Sequence, residues 1–176
     1  MLLRKINAVL SLLSTILVFI HAILLGVWMI TKGAVEKVNT PLPWLLMWVV
    51  IAHAIISIVL GILGHKNAEK RKCKEYPKLN LPTIMQRMSG ICIIVFSALH
   101  ILGAVGVLKP PALVHAILPP LFFTIVLSHV AVSTSKAFIT LGIGSAKAVK
   151  IIDISVKVLC VATLLMDVIG FYLHSV

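Results

Sequence analysis

Four histidines stand inside long apolar runs of this sequence: His21, His53, His100 and His129. The one with the clearest surroundings closes the stretch Met85-Gln-Arg-Met-Ser-Gly-Ile-Cys-Ile-Ile-Val-Phe-Ser-Ala-Leu-His100, which carries a charge at Arg87 and none after it. On a helix rising about 1.5 Å per residue, His100 lies ~20 Å beyond Arg87. If Arg87 marks one face of a hydrocarbon layer about 30 Å thick, this imidazole sits well inside it, nearer the opposite face. It has no bulk water to bond there and needs another polar group or a metal. The chemistry open to four such groups is hydrogen bonding between helices or, because neutral imidazole is a good ligand, metal coordination.

Composition indicates the elements that position them. The 176 residues are 60% hydrophobic and 12% charged, with a mean hydropathy of +1.13. A water-soluble domain of this length needs far more polar surface, so the expectation is an all-α integral membrane protein. Five apolar stretches are long enough to cross a bilayer: residues 6–30, 44–64, 84–107, 112–135 and 151–172. Each of the first four carries one of the histidines. Gly33, Pro41 and Pro43 break the first connection. The second connection, His65 to Asn80, is the most polar segment and holds Lys66, Lys70, Arg71, Lys72, Lys74 and Lys78. Leu108-Lys-Pro-Pro makes the third, and a basic, small-residue stretch from Lys136 to Lys150 is expected to make the fourth. Pro119-Pro120 predicts a kink in the fourth span. Trp28, Trp44 and Trp48 suit an interfacial aromatic belt. With no internal repeat, residues 1–176 are expected to pack as one five-helix transmembrane bundle.

The formal charge of +11 comes from 16 Lys and Arg against 5 Asp and Glu. These cations lie in short connections between apolar spans, which argues against nucleic acid and for the positive-inside pattern. Arg4, Lys5, the cations of the polar segment, Arg87, Lys136, Lys147 and Lys150 share one side; Lys32, Lys37 and Lys109 fall on the other. The N-terminus is therefore expected in the cytoplasm and the C-terminus outside, with the basic face available to anionic lipid headgroups or an acidic partner. Met1-Leu-Leu-Arg-Lys resembles the start of a signal peptide. The apolar run after it is too long and lacks an A-x-A site, so it is read as a retained first span.

A haem held by two histidines takes one from each of two helices at matching depth. By helical rise His21 lies ~16 Å before Lys32 and His100 ~13 Å before Lys109, so both fall in the outer half and can share one haem. His129, only ~10 Å before Lys136, falls in the inner half. His53, ~20 Å before Lys66, matches His129 only if the second helix continues past the membrane through the basic stretch. The Ala, Glu, Lys and Arg of that stretch favour helix. Cys73, Cys92 and Cys160 form no C-x-x-C-H attachment site, so a haem here is of the b type. Interhelical hydrogen bonding is the competing use of all four histidines. His65, His115 and His174, at span ends, read as interface residues.

Gln86-Arg-Met-Ser-Gly90 followed by Val95-Phe-Ser-Ala-Leu-His100 resembles the third helix of the cytochrome b anchor subunit of succinate dehydrogenases and fumarate reductases. The likeness is to the single-chain, five-helix, two-haem type. It extends to Arg4-Lys5 ahead of His21, to Ala52-His-Ala, and from His129 through Ala137-Phe-Ile-Thr-Leu-Gly142 into the fifth span. The resemblance implies His21 and His100 on a distal haem, and His53 and His129 on a proximal haem near the cytoplasm. It implies an anchor with no dicarboxylate chemistry of its own. Such an anchor binds an iron–sulfur subunit and an FAD-containing flavoprotein on its cytoplasmic face, and exchanges electrons with membrane quinone. Menaquinol-linked fumarate reduction in a bacterial or archaeal cytoplasmic membrane is the favoured form, and a dimer of complexes is compatible with it. Arg87, Lys136 and Lys5 are then candidate partners of haem propionates, with snorkelling to headgroups as their alternative. Quinone chemistry moves protons with electrons, which singles out Asp167, the acid deepest in a span, with Trp28 and His115 as further quinone-site candidates. The alternative for Asp167 is a hydrogen bond to a neighbouring helix.

Two other classes compete. A small proton-coupled transporter could use the histidines and Asp167 as a relay, but the sequence lacks an inverted repeat. A cytochrome b anchor of another dehydrogenase fits the spacing but not the third-helix motif.

Overall fold

The computed structural model describes residues 2–31, 41–70, 81–109 and 111–175, and within them no side chain of 65–70, 81–83, 112–113, 115 or 174–175. These residues form α1 (Leu2–Ile30), α2 (Leu42–Lys70), α3 (Leu81–Ala104), α4 (Ala112–Leu141) and α5 (Ala146–Ser175), with no strand among them. Each holds a stretch long and apolar enough to cross a membrane. Large apolar side chains turn outward along them: Trp48 is 63% exposed, Val158 64% and Ile139 65%. Such surfaces are at rest only in an apolar surrounding.

The helices outrun the apolar stretches, because hydropathy marks the lipid-soluble part of a helix and not the turns that continue into the interface. Three boundaries move enough to matter. First, α4 does not stop near residue 135. It carries Lys136 for more than a turn further and ends at Gly142, whose φ of +72° is open to glycine without strain. There the N–H of Gly142 donates to the Ile139 carbonyl and that of Ile143 to the Phe138 carbonyl, both at 3.1 Å. Lys147 and Lys150 belong to α5, so residues 136–150 are not the open connection expected of them. Second, α2 runs on to Lys70, through the first part of the basic stretch. Third, α3 ends at Ala104, short of Val107. Pro119 and Pro120 lie within a continuous α4.

The centre is formed by α1, α4 and α5, each packed against the other two, while α2 lies along α1 and α3 along α4. Phe19, Leu127, Val130 and Cys160 make the buried apolar contact where the central three meet. At the far end α1 and α5 come very close. A Cβ on Gly170 would lie 3.2 Å from the Gly26 carbonyl, and one on Gly26 would lie 2.5 Å from Met166 Cε. Small residues allow backbones to approach where lipid supplies no hydrophobic drive. Asn7 near the start of α1 accepts a 3.1 Å hydrogen bond from Ser57 Oγ midway along α2. At the end opposite the glycine contact Gln86 early in α3 meets Lys136 late in α4, so α3 and α4 run antiparallel, and one end of the bundle gathers Arg4, Lys5, Arg87, Lys136, Lys147 and Lys150.

Candidate functional site

The four histidines assemble as two pairs. His53 of α2 and His129 of α4 lie within electrostatic reach of one another, and His21 of α1 and His100 of α3 form a second such pair. The condition the sequence set for the first pair is met, since α2 continues as helix to Lys70. Among the described residues no cluster of three or more His, Cys, Asp or Glu forms, so paired imidazoles are the arrangement on offer.

The His53–His129 pair is enclosed. Both line a cavity of about 130 Å³ walled by α1, α2, α3 and α4, along with Ser14, Thr15, Gly90 and Ser133. The surrounding hydrogen bonds decide the chemistry of each ring. Ser89 Oγ lies 2.6 Å from the Met85 carbonyl and 2.9 Å from His129 Nδ1. With its one proton on Met85 it accepts from Nδ1–H, and Nε2 of His129 keeps the lone pair a metal uses. His53 lies within hydrogen-bonding reach of the Asn7 backbone carbonyl. Its Nδ1 is buried without a hydrogen-bond partner. A buried imidazole nitrogen without a protein partner is available to a metal. Gly90 faces this pair: a Cβ there would touch His129 Cε1 at 3.4 Å, and a larger side chain would enter the cavity.

These residues suit a haem. His53, whose Nδ1 has no partner, and His129 line one cavity beside Gly90 from two different helices, as bis-histidine ligation requires. The cavity is smaller than a porphyrin. Its outer walls, α2 and α3, each pack extensively against one neighbour, α1 and α4 respectively. Ser14 Oγ, on the α1 wall, is buried without a partner and adds a polar group to the lining.

The His21–His100 pair is more open. His21 is half-buried and His100 exposed. The His100 ring lies 5.4 Å from that of Phe122, tilted by 36°, and Phe122 stacks with Phe96 at 6.4 Å. Among the described residues, aromatic packing is the contact found at this imidazole.

At the basic end Lys136 Nζ donates to Gln86 Oε1 at 2.6 Å, and Arg87 is within electrostatic reach of Lys136. Two of the three proposed anion partners thus come together one to two turns beyond His129. Lys5 is exposed on α1. Asp167 is 1% exposed. It lies in the close contact of α1 and α5, where a Cβ on Gly26 would come within 2.7 Å of Oδ1, and neither carboxyl oxygen has a hydrogen-bond partner. Trp28 is half-buried on the same α1 segment, and the side chain of His115 lies outside the described residues.

Sequence reasoning passed over Ser89, Gly90, Asn7, Gln86 and Phe122 as individual actors. A signal for three of them was present: Gln86, Ser89 and Gly90 are the polar and small residues of the motif at the start of the third span, spaced to meet one face of α4. Comparison with protein-family models, curated proteins and solved structures yields no match to this chain.

Proposed function

We propose that the chain is the di-haem, quinone-reactive membrane anchor of a complex of the succinate dehydrogenase and fumarate reductase type. One observation carries this reading: the four histidines of the apolar helices converge as two pairs on different helices, and His53 of the enclosed pair has a buried nitrogen without a hydrogen-bond partner. In this reading the basic end faces the cytoplasm of a bacterium or archaeon, as the distribution of cations favours. It docks the iron–sulfur and flavoprotein subunits there.

Two b haems bound at these pairs supply one-electron carriers at two depths in the membrane. His53 and His129 hold the carrier nearer the soluble subunits, and Ser89 and the Asn7 carbonyl fix their ring orientation. His21 and His100 hold the other. Lys136 and Arg87, joined by Lys5 from α1, offer cations to buried carboxylates at the inner site. Quinol oxidation at the far end, with electrons flowing inward to fumarate, is the favoured direction. Menaquinol is the favoured donor. Asp167, the candidate proton-exchanging group, lies at the same far end, enclosed between α1 and α5. Trp28 and His115 belong to the same far end.

The test is a dithionite-reduced minus oxidised spectrum with haem extraction on protein from haem-replete cells. Two b haems per chain are expected. A colourless preparation sinks the proposal.

A further inference from the structure

Two residues lining the inner cavity carry a buried polar atom without a hydrogen-bond partner: His53 at Nδ1 and Ser14, on α1, at Oγ. A hydroxyl inside a helix commonly gives its proton to the carbonyl one turn back. On α4 Thr124, Ser133, Thr134 and Thr140 each donate to the carbonyl four residues earlier, at 2.7 to 2.8 Å. Ser14 makes no such bond, so among the described residues its proton stays uncommitted, in a space it shares with two histidines. A buried donor left unmade carries its full desolvation penalty. Such a group in a native interior calls for an acceptor.

The place of Ser14 along the bundle narrows what that acceptor is. Phe19 of α1 packs with Leu127 and Val130 of α4. From that contact Ser14 lies toward the start of α1, where Arg4 and Lys5 stand, and Ser133 toward the end of α4, where Lys136 stands. Ser14 is therefore displaced toward the basic end. Ser133 lines the same cavity, but its proton goes to the His129 carbonyl. A haem b held by two histidines has its iron and ring nitrogens engaged, which leaves its two propionate carboxylates as hydrogen-bond acceptors. We propose that Ser14 Oγ donates to a propionate carboxylate of the haem held by His53 and His129, so that α1 is the third helix of the inner site. The inference rests on the di-haem reading above and adds to it a specific atom. Two ligands on one axis do not set the rotation of a planar ring about that axis, whereas a charge-assisted hydrogen bond at one edge does.

The experiment uses the purified full chain carrying His100→Ala, which leaves the inner site alone to hold porphyrin. In detergent it is equilibrated with equal amounts of protohaem and protohaem dimethyl ester, whose capped carboxyls carry no charge. The porphyrins retained are then extracted and counted by mass spectrometry. With Ser14 in place, protohaem is expected to be retained in preference to the ester. Ser14→Ala is expected to cut that preference about tenfold, the effect of losing one hydrogen bond to a charged group. The preference that remains comes from Lys136 and Arg87. Ser133→Ala, whose proton serves its own helix, is expected to keep the preference of the parent chain. The readout is a ratio within the loaded chain, so a lower yield of either variant does not alter it, and alanine suits both helices. An unchanged preference in Ser14→Ala, or an equal fall in Ser133→Ala, overturns the proposal and leaves the di-haem reading standing. A chain that retains neither porphyrin overturns both.

Discussion

The two histidine pairs use the same residue type in the same bundle, yet they are held by different physics. Around His53 and His129 the protein supplies polar partners: a serine whose own proton is committed elsewhere, a backbone carbonyl, and a glycine that leaves room. Around His100 it supplies rings, with Phe122 and Phe96 stacked beside an imidazole that is exposed. Polar partners fix a tautomer as well as an orientation, whereas aromatic packing fixes orientation alone. On the proposed di-haem reading, the inner pair is the pre-set site and the outer pair the looser, more exposed one.

That contrast can be broken by experiment, most severely at the ligands. His129→Ala is expected to remove one b haem of two and leave the other's spectrum in place, and His100→Ala to do the same for the opposite haem. Haem extraction with difference spectra on both variants is the check; loss of both haems in either, or of neither, contradicts the pairing. A somewhat smaller effect is expected from Gly90→Val. Its Cβ would already touch His129 at 3.4 Å, and the added methyls would reach into the cavity. Substoichiometric inner haem with full outer haem is the expected yield, while two full haems would show that the inner haem does not approach Gly90.

Next comes Ser89→Ala, which removes the acceptor of the His129 proton. Second-shell losses of this kind typically cost 10–100-fold in metal affinity. Haem-transfer titrations should show a drop of roughly that size at the inner site only. The smallest change is expected from Phe122→Leu, which keeps apolar bulk beside His100 and forfeits ring packing of about 0.5–1.5 kcal/mol. If Phe122→Leu weakens the outer site more than Ser89→Ala weakens the inner one, the ranking of polar over aromatic support is wrong.

Counting residues to the nearest loop cation matched His21 with His100 readily, and matched His53 with His129 only on the condition that the second helix runs on through the basic stretch. α2 does continue as helix to Lys70, and the bundle encloses the inner pair more tightly. Hydropathy marks where a lipid-soluble segment ends, not where its helix ends. The same confusion of hydropathy with helix ended the fourth span several residues before Gly142. In that segment Lys136 is not a loop cation; it is a helical residue bonded to Gln86.

Much was nonetheless legible in the amino-acid order. The number of long helices, their approximate centres, the placement of one histidine on each of four of them and the gathering of cations at one end all follow from local composition. An apolar run of about 20 residues can satisfy its backbone in lipid only as a helix. What only the tertiary structure decided is which groups face each other. The proton on His129 Nδ1, the bare nitrogen of His53, the opening at Gly90 and the enclosure of Asp167 against Gly26 depend on helix rotation and crossing. Those are set by long-range packing of small and polar side chains, which a linear pattern of hydrophobicity does not encode. The sequence determined that four imidazoles enter the apolar layer; the folding of α1 to α4 around one another made them two pairs of unlike character.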